Sequence, residues 1–238
     1  MTTIQCEGSD PTRLGLRERK KQRTRQLIAD TAAKLFAEAG YEQVAVIDVA
    51  RAAEVAEKTV YNYFPTKEHL VLDRDEVLRD RLVGLVRSRP AGVSPAGAIR
   101  QAALDFVEEI RSIPDDQIRG GLGYLAAISP AVRRLSLEMT DRHADAIAVA
   151  IVDTTDGIDP SLAKMQAIAL AWVFQTITDE TGRRSRDGQR PTTISDELGH
   201  VVAALVDDLD RWLSRPASHH QTEARTVQTW QSTRSGQP

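Results

Sequence analysis

Twenty-two residues near the N-terminus, Val46 to Lys67 (VIDVARAAEVAEKTVYNYFPTK), leave this chain little choice of local fold. Val46, Val49, Ala50 and Ala53 recur at i, i+3, i+4 and i+7, an apolar stripe along one side of a short helix. After a tight turn a second helix is predicted from about Glu57 to Phe64, its inner face marked by Val60 and Phe64, four apart. At about 100° per residue, Lys58 and Asn62 then point away from Val60. Thr59 and Tyr61 flank that outward ridge, and Tyr63 lies near the seam. The outer face of this helix therefore carries a cation, an amide, a hydroxyl and two phenols. A packed core has no use for such a face, whereas a DNA major groove does.

Upstream, Arg17 to Ala39 has the pattern of a longer helix, with Ile28, Ala32, Leu35, Phe36 and Ala39 inward and Gly40 as the stop just past its end. From Arg23 to Leu70 the sequence combines AAKLF, an AGY corner, DVA, AxV, TVYNYF and a trailing TKE in one register. In this it resembles the helix-turn-helix of the TetR family of transcriptional regulators, over about a fifth of the chain. Three positions depart from the family pattern. Ala45 and Ala56 stand where a capping Thr or Ser is common, which costs about 1 kcal/mol per lost cap. Glu54 stands where the turn usually has glycine, with slight strain expected.

The resemblance implies an all-α fold: a three-helix DNA-binding domain joined by a long helix to a helical domain for effector binding and dimerisation. The residues expected to face DNA are Val46, Glu57, Lys58, Thr59, Tyr61, Asn62, Tyr63 and Lys67, with Arg23 and Arg25 from the preceding basic arm. Lys58 is suited to guanine and Asn62 to adenine N6 and N7. Thr59, Tyr61 and Lys67 match positions that in the family commonly contact phosphates or thymine methyls, and Tyr63 matches another frequent contact position. Glu57 has two readings, an acceptor for cytosine or an acid favoured by the helix dipole in the first turn.

Charge distribution agrees with DNA as partner. The chain carries a net −3, yet Pro11 to Arg25 holds seven cations (Arg13, Arg17, Arg19, Lys20, Lys21, Arg23, Arg25) against Glu18 alone, a local +6. Alone, such a run reads as a solvated tail; beside a helix-turn-helix it reads as phosphate contact. A lone Cys6 excludes a disulfide framework and a cysteine-based zinc site, consistent with a reducing cytoplasm. The longest apolar run, Ala167 to Phe174, is too short to span a bilayer, and no signal peptide or membrane partner is expected.

Residues 1–16 are expected to be a disordered leader, 17–72 the DNA-binding domain, 73–214 the effector and dimerisation domain, and 215–238 a flexible tail. Thr66 is expected to cap a long helix running to about Arg89, a lever between the two domains. Ser94-Pro95, Ser129-Pro130 and Asp159-Pro160 each set a capping residue before proline, and start helices running to about Ser112, Asp153 and Thr181. Another helix is expected over Asp116–Ile128, and a last one from Thr193, with Asp196 as capping partner, to Ser214. Gly182 to Thr192 reads as a polar loop.

In the last helix Leu198, Val201, Val202, Leu205, Leu209 and Trp212 form one stripe, and the helix before it is apolar nearly all round. Packing within the chain or a two-fold interface of helices 160–181 and 193–214 both satisfy this; an inverted-repeat operator favours the homodimer. Hence a dimeric repressor, released from its operator by a small-molecule effector, is the leading expectation; an activator, or a helical interaction module that no longer reads DNA, are the alternatives. Phe106, Tyr124, Met139, His143, Trp172, Phe174 and Gln175 are candidate pocket residues; Met139 and the aromatics at helical spacing are more often core, His143 reads as a surface or hydrogen-bonded histidine, and none is assigned. No cofactor or metal is expected. The GGLG at Gly120–Gly123 lacks a preceding strand and dinucleotide spacing and reads as a close helix-packing point. Nothing resembles a nucleophile elbow, and His219-His220 cannot share one helical face, so an enzyme is not expected.

Overall fold

The longest N-terminal apolar pattern becomes α1 (Leu16–Ala39), closed by Gly40, whose N–H bonds Phe36 O at positive φ. The structure, a computed structural model, describes residues 15–72, 75–115 and 117–214. The expected leader up to residue 14, the tail 215–238, and with them Cys6, Arg13 and His219-His220, lie outside the described residues. Among those described there are nine α-helices and no strand. After α1 come α2 (Val46–Ala52), α3 (Glu57–Tyr63), α4 (Asp75–Arg87), α5 (Pro95–Arg111), α6 (Leu122–Ile128), α7 (Pro130–Thr154), α8 (Pro160–Arg186) and α9 (Pro191–Leu213).

Three helix starts follow from capping chemistry. Ser94 Oγ accepts from the N–H groups of Ala96 and Gly97, Ser129 Oγ from Val132, and Asp159 Oδ1 from Ser161 and Leu162. In each, proline follows at a position whose N–H needs no partner.

Two apolar clusters hold the chain. The larger joins α4, α5, α7, α8 and α9 through Leu82, Ile99, Val107, Ile147, Leu170, Phe174, Ile194 and Val202. The smaller is the centre of the head, α1 to α3, and gathers Ile28, Phe36, Tyr41, Val49, Val60, Phe64 and Leu70. It also takes in Leu125, Ala126 and Val132 from α6 and α7, so the head's core is completed by the body beneath it.

Four element boundaries differ from the sequence expectation. The connecting helix does not run from Thr66 to Arg89. Residues Glu68–Leu70 form a 3₁₀ turn, with i→i−3 bonds from Leu70, Val71 and Leu72 that turn Leu70 and Leu72 inward, and α4 starts only at Asp75. Thr66 caps no helix; its hydroxyl meets His69 Nδ1 at 2.9 Å. The expected helix 116–128 is broken by Gly120-Gly121 into a 3₁₀ turn (Ile118–Gly120) and α6. Conversely α8 continues through Gly182 to Arg186, because Glu180 pairs with Arg183 and Arg184 one turn on and the polar run forms an outer helical face. Finally, α9 opens at Pro191, and Asp196 pairs with Arg111 of α5 instead of with Thr193.

Candidate nucleic-acid interface

α2 and α3 are seven residues each and hold their places by what they bury. Val49 and Ala50 seat α2, while Val60, fully buried, and Phe64, 1% exposed, seat α3. With Val60 inward, Lys58 and Asn62 are exposed on the far side and Tyr61 is 46% exposed beside them. These three form a single ridge with two kinds of donor and a phenol ring, as the spacing predicted. Glu57 is exposed at the first turn of α3, and Thr59 and Tyr63 are half-buried at its edges.

The turn between the helices carries Glu54 at φ +55°, a left-handed conformation, with its N–H on Arg51 O. Ala45 provides no side-chain cap for α2, yet half of the usual reciprocal arrangement persists: Asp48 Oδ2 accepts from Ala45 N–H at 2.9 Å. Asp48 also pairs with Arg51 at 3.3 Å. Val46, first in α2, is half-buried, and its neighbour Ile47 is an exposed apolar side chain beside it. Ile47 was not among the expected residues; it falls off the buried stripe, which is the only sign the sequence offered.

The cations divide. Arg23 is exposed on α1. Arg25, one turn from the head's core, is turned inward: Nη1 donates to Tyr63 O at 3.2 Å, and the guanidinium lies 4.7 Å from the centre of the Phe64 ring. Lys67 is half-buried, its Nζ 4.2 Å from the centre of the Tyr41 ring. Burial pushes the Lys67 ammonium pKa down, while Glu42 and Glu68 act in the opposite sense. The Tyr41 phenol, pushed above its ordinary range by burial and by the Glu68 carboxylate, stays neutral. The AGY corner thus supplies an aromatic platform for a lysine 26 positions on, a relation invisible to local periodicity.

Besides the apolar side chains of α6 and α7 that enter the head's core, a backbone contact joins head to body, and an ionic contact fixes the start of α4 on α7. Gly120 lies so close to α1 that an added Cβ would fall 2.0 Å from Ala33 O. At the start of α4, Asp75 accepts from Arg142 at 3.0 Å and lies 2.6 Å from Nε2 of His143, which is 2% exposed. Burial opposes ionisation of Asp75, but the hydrogen bonds from His143 and Arg142 outweigh it and hold the carboxyl below the usual range.

The candidate pocket residues lie in different surroundings. Phe106 and Phe174 stack edge to face at 5.6 Å in the body. Gln175 accepts from Ser136 and Thr140 and donates to Asp179, a closed polar network between α7 and α8. Met139 is buried, Tyr124 is half-buried against the head cluster, and Trp172 faces outward. A cleft of about 430 Å³ at the opposite end of the body, lined in part by Arg89, Val93, Thr154 and Leu213, was not anticipated. Its Arg89 donates to Val86 O, both oxygens of Thr154 and the Thr155 hydroxyl, which ties together the ends of α4 and α7. Among the described residues no group of three or more His, Cys, Asp or Glu could hold a metal, and no helix is long and apolar enough to cross a membrane.

Residues 28–73 match the family described as bacterial regulatory proteins, tetR family. The HTH-type transcriptional regulator TcmR of Streptomyces glaucescens is 29% identical over 187 residues, 72% of this chain and 82% of that protein. The HTH-type transcriptional regulator YuxN of Bacillus subtilis is 28% identical over 127 residues, 51% of this chain and 44% of that protein. Among solved structures, a TetR-family regulator of Streptomyces coelicolor A3 superposes with a TM-score of 0.48 at 21% identity, covering 81% of this chain and 99% of that one.

Proposed function

We propose that this chain, a DNA-binding helix-turn-helix protein of the TetR family of transcriptional regulators, is a homodimeric repressor released from an inverted-repeat operator by a small-molecule effector. The observation that carries the DNA reading is the exposed Lys58–Tyr61–Asn62 ridge on a helix backed by buried Val60 and Phe64. In the proposal α3 enters the major groove, Lys58 donates to guanine, Asn62 pairs with adenine, and Tyr61 lies against the backbone or a thymine methyl. Val46, Glu57, Thr59 and Tyr63 border that surface. Arg23 and Lys67 supply phosphate contacts, Lys67 while resting on Tyr41.

Dimerisation through α8 and α9 is supported by what one chain leaves uncovered. Met165, Ile168 and Trp172 (44% exposed) line the outer side of α8, and Val201 and Trp212 are exposed on α9. Large apolar side chains at helical spacing on two neighbouring helices mark an association surface. Two α3 helices placed about 34–36 Å apart would then read two half-sites. An effector held in the body, residues 73–214, would act on the head, residues 17–72, through α4 and through the contact of Gly120 with α1. Effector and operator must weaken each other by the same factor.

The test is a gel shift with duplex selected by the wild-type chain from a randomised pool, titrated with salt. Affinity falling steeply with salt is expected. Lys58→Ala should cost about 1–3 kcal/mol and relax one operator position. Unchanged sequence preference in that variant would remove Lys58 from the groove, and failure to select any sequence at low salt would leave the interaction-module reading in place.

A further inference from the structure

The basic arm does not end in a phosphate contact: we infer that Arg25 is a positioning residue that braces the C-terminal end of the recognition helix. This rests on the proposal that α3 reads DNA, and on a geometry independent of it.

α3 has seven residues, too few to be stable alone. Its last carbonyls have no partner within the helix. Phe64 N–H closes back onto Val60 O, which leaves Tyr63 O facing outward from the helix end. Arg25 Nη1 donates to that oxygen at 3.2 Å, from α1, 38 residues away in sequence. The same guanidinium lies 4.7 Å from the centre of the Phe64 ring, the residue that ends the helix and is almost fully buried. One planar group thus fixes the terminal carbonyl and the terminal side chain together. A cation at this end also opposes the partial negative charge of the helix dipole. Asn62 is adjacent to Tyr63 and Tyr61 precedes it, so a shift of this end displaces the ridge directly. Arg23, two residues earlier, is exposed and remains the phosphate-facing member of the pair.

Arg25→Lys separates the two roles. Lysine keeps the charge and the reach of a phosphate contact but lacks the planar fork that holds carbonyl and ring at once. The full chain, Arg25→Lys and Arg25→Ala are compared in two measurements. Amide hydrogen exchange without DNA reports the brace, with the amides of α5 and α9 as the internal control for folding. Binding to the duplex selected by the wild type, at several salt concentrations, reports the consequence. Bracing predicts faster exchange at residues 60–64 in both variants and unchanged exchange in α5 and α9. It also predicts an affinity loss of about tenfold in both, the scale of one charge-assisted hydrogen bond, with an unchanged salt slope. The inference is overturned if Arg25→Lys binds like the wild type while Arg25→Ala lowers the salt slope by about one, the mark of a lost phosphate contact. Unchanged exchange at residues 60–64 in both variants overturns it as well. Should the wild type select no sequence, the DNA reading falls while the exchange measurement still decides the brace.

Discussion

The turn of the helix-turn-helix and the joint beneath the head treat glycine in opposite ways. In the turn, a left-handed backbone that glycine adopts freely is occupied by Glu54 at φ +55°, exposed to solvent. In the joint, glycine is used for its missing side chain. A Cβ on Gly182 of α8 would lie 2.0 Å from Gly123 O, one on Gly123 2.5 Å from Thr178 O, and one on Gly120 2.0 Å from Ala33 O. A conformational requirement can be met by another residue for about 1–2 kcal/mol. A space filled by another backbone cannot be shared. The turn is therefore expected to accept substitutions that the joint does not.

The sharpest way to break this comparison is one substitution made at two glycines. Gly182→Ala gains about 1 kcal/mol of helix propensity but drives a methyl into the α6 backbone, an overpacking cost of about 3 kcal/mol. A net loss of about 2 kcal/mol is expected in chemical denaturation. Gly84, in α4, has open space around its missing Cβ. There the same change should stabilise by about 1 kcal/mol. Equal signs at the two positions would mean that α6 and α8 have slack, and the comparison would fail.

The tie that fastens the start of α4, the helix leading out of the head, to α7 is made of charge, so it should respond to pH where the glycine contact does not. Asp75→Ala leaves His143 buried without its partner and should cost about 1.5 kcal/mol. Because the Asp75 carboxyl pKa is held low in the folded chain, its contribution is fully present above the ordinary aspartate value near 4. It is lost as pH falls below that, through the folded value. The stability difference between wild type and Asp75→Ala should therefore shrink on acidification below about pH 4, while that of Gly182→Ala should not. A gap that stays constant with pH would remove the ionic tie.

The same contrast explains what the sequence made legible. Caps are local, so Ser94, Ser129 and Asp159 announced α5, α7 and α8 correctly, and the alternation of Val60 and Phe64 with Lys58 and Asn62 set which side of α3 is exposed. What escaped depended on partners far along the chain. Gly182 looked like the start of a loop because its neighbour Gly123 is on another helix. The inward turn of Leu70 and Leu72 split a helix that composition alone would have continued from Thr66. Arg25 and Lys67 looked like members of one cationic set until Tyr63 and Tyr41 were placed beside them. Whether the expected residues touch DNA is a question for the binding measurements above; their placement on one exposed ridge is already clear for Lys58, Tyr61 and Asn62.

The smallest expected effect sharpens the other side of the comparison. Glu54→Gly removes a left-handed non-glycine residue and should stabilise the head, since relief of about 1–2 kcal/mol exceeds the added backbone entropy of an unfolded glycine, about 0.5–1 kcal/mol. It also removes an acid from beside the surface proposed to face DNA, which would tighten DNA binding for a different reason. Glu54→Gln separates the two, because it deletes the charge and keeps the strained backbone. The expected pattern is a gain of roughly 1 kcal/mol, or about 2–4 °C in melting temperature, for Glu54→Gly alone, and tighter binding with a changed salt response for both. If Glu54→Gly destabilises the chain, the glutamate side chain must hold the turn by an interaction that outweighs the strain, and the turn would then be as dependent on its residue as the joint is on its glycines.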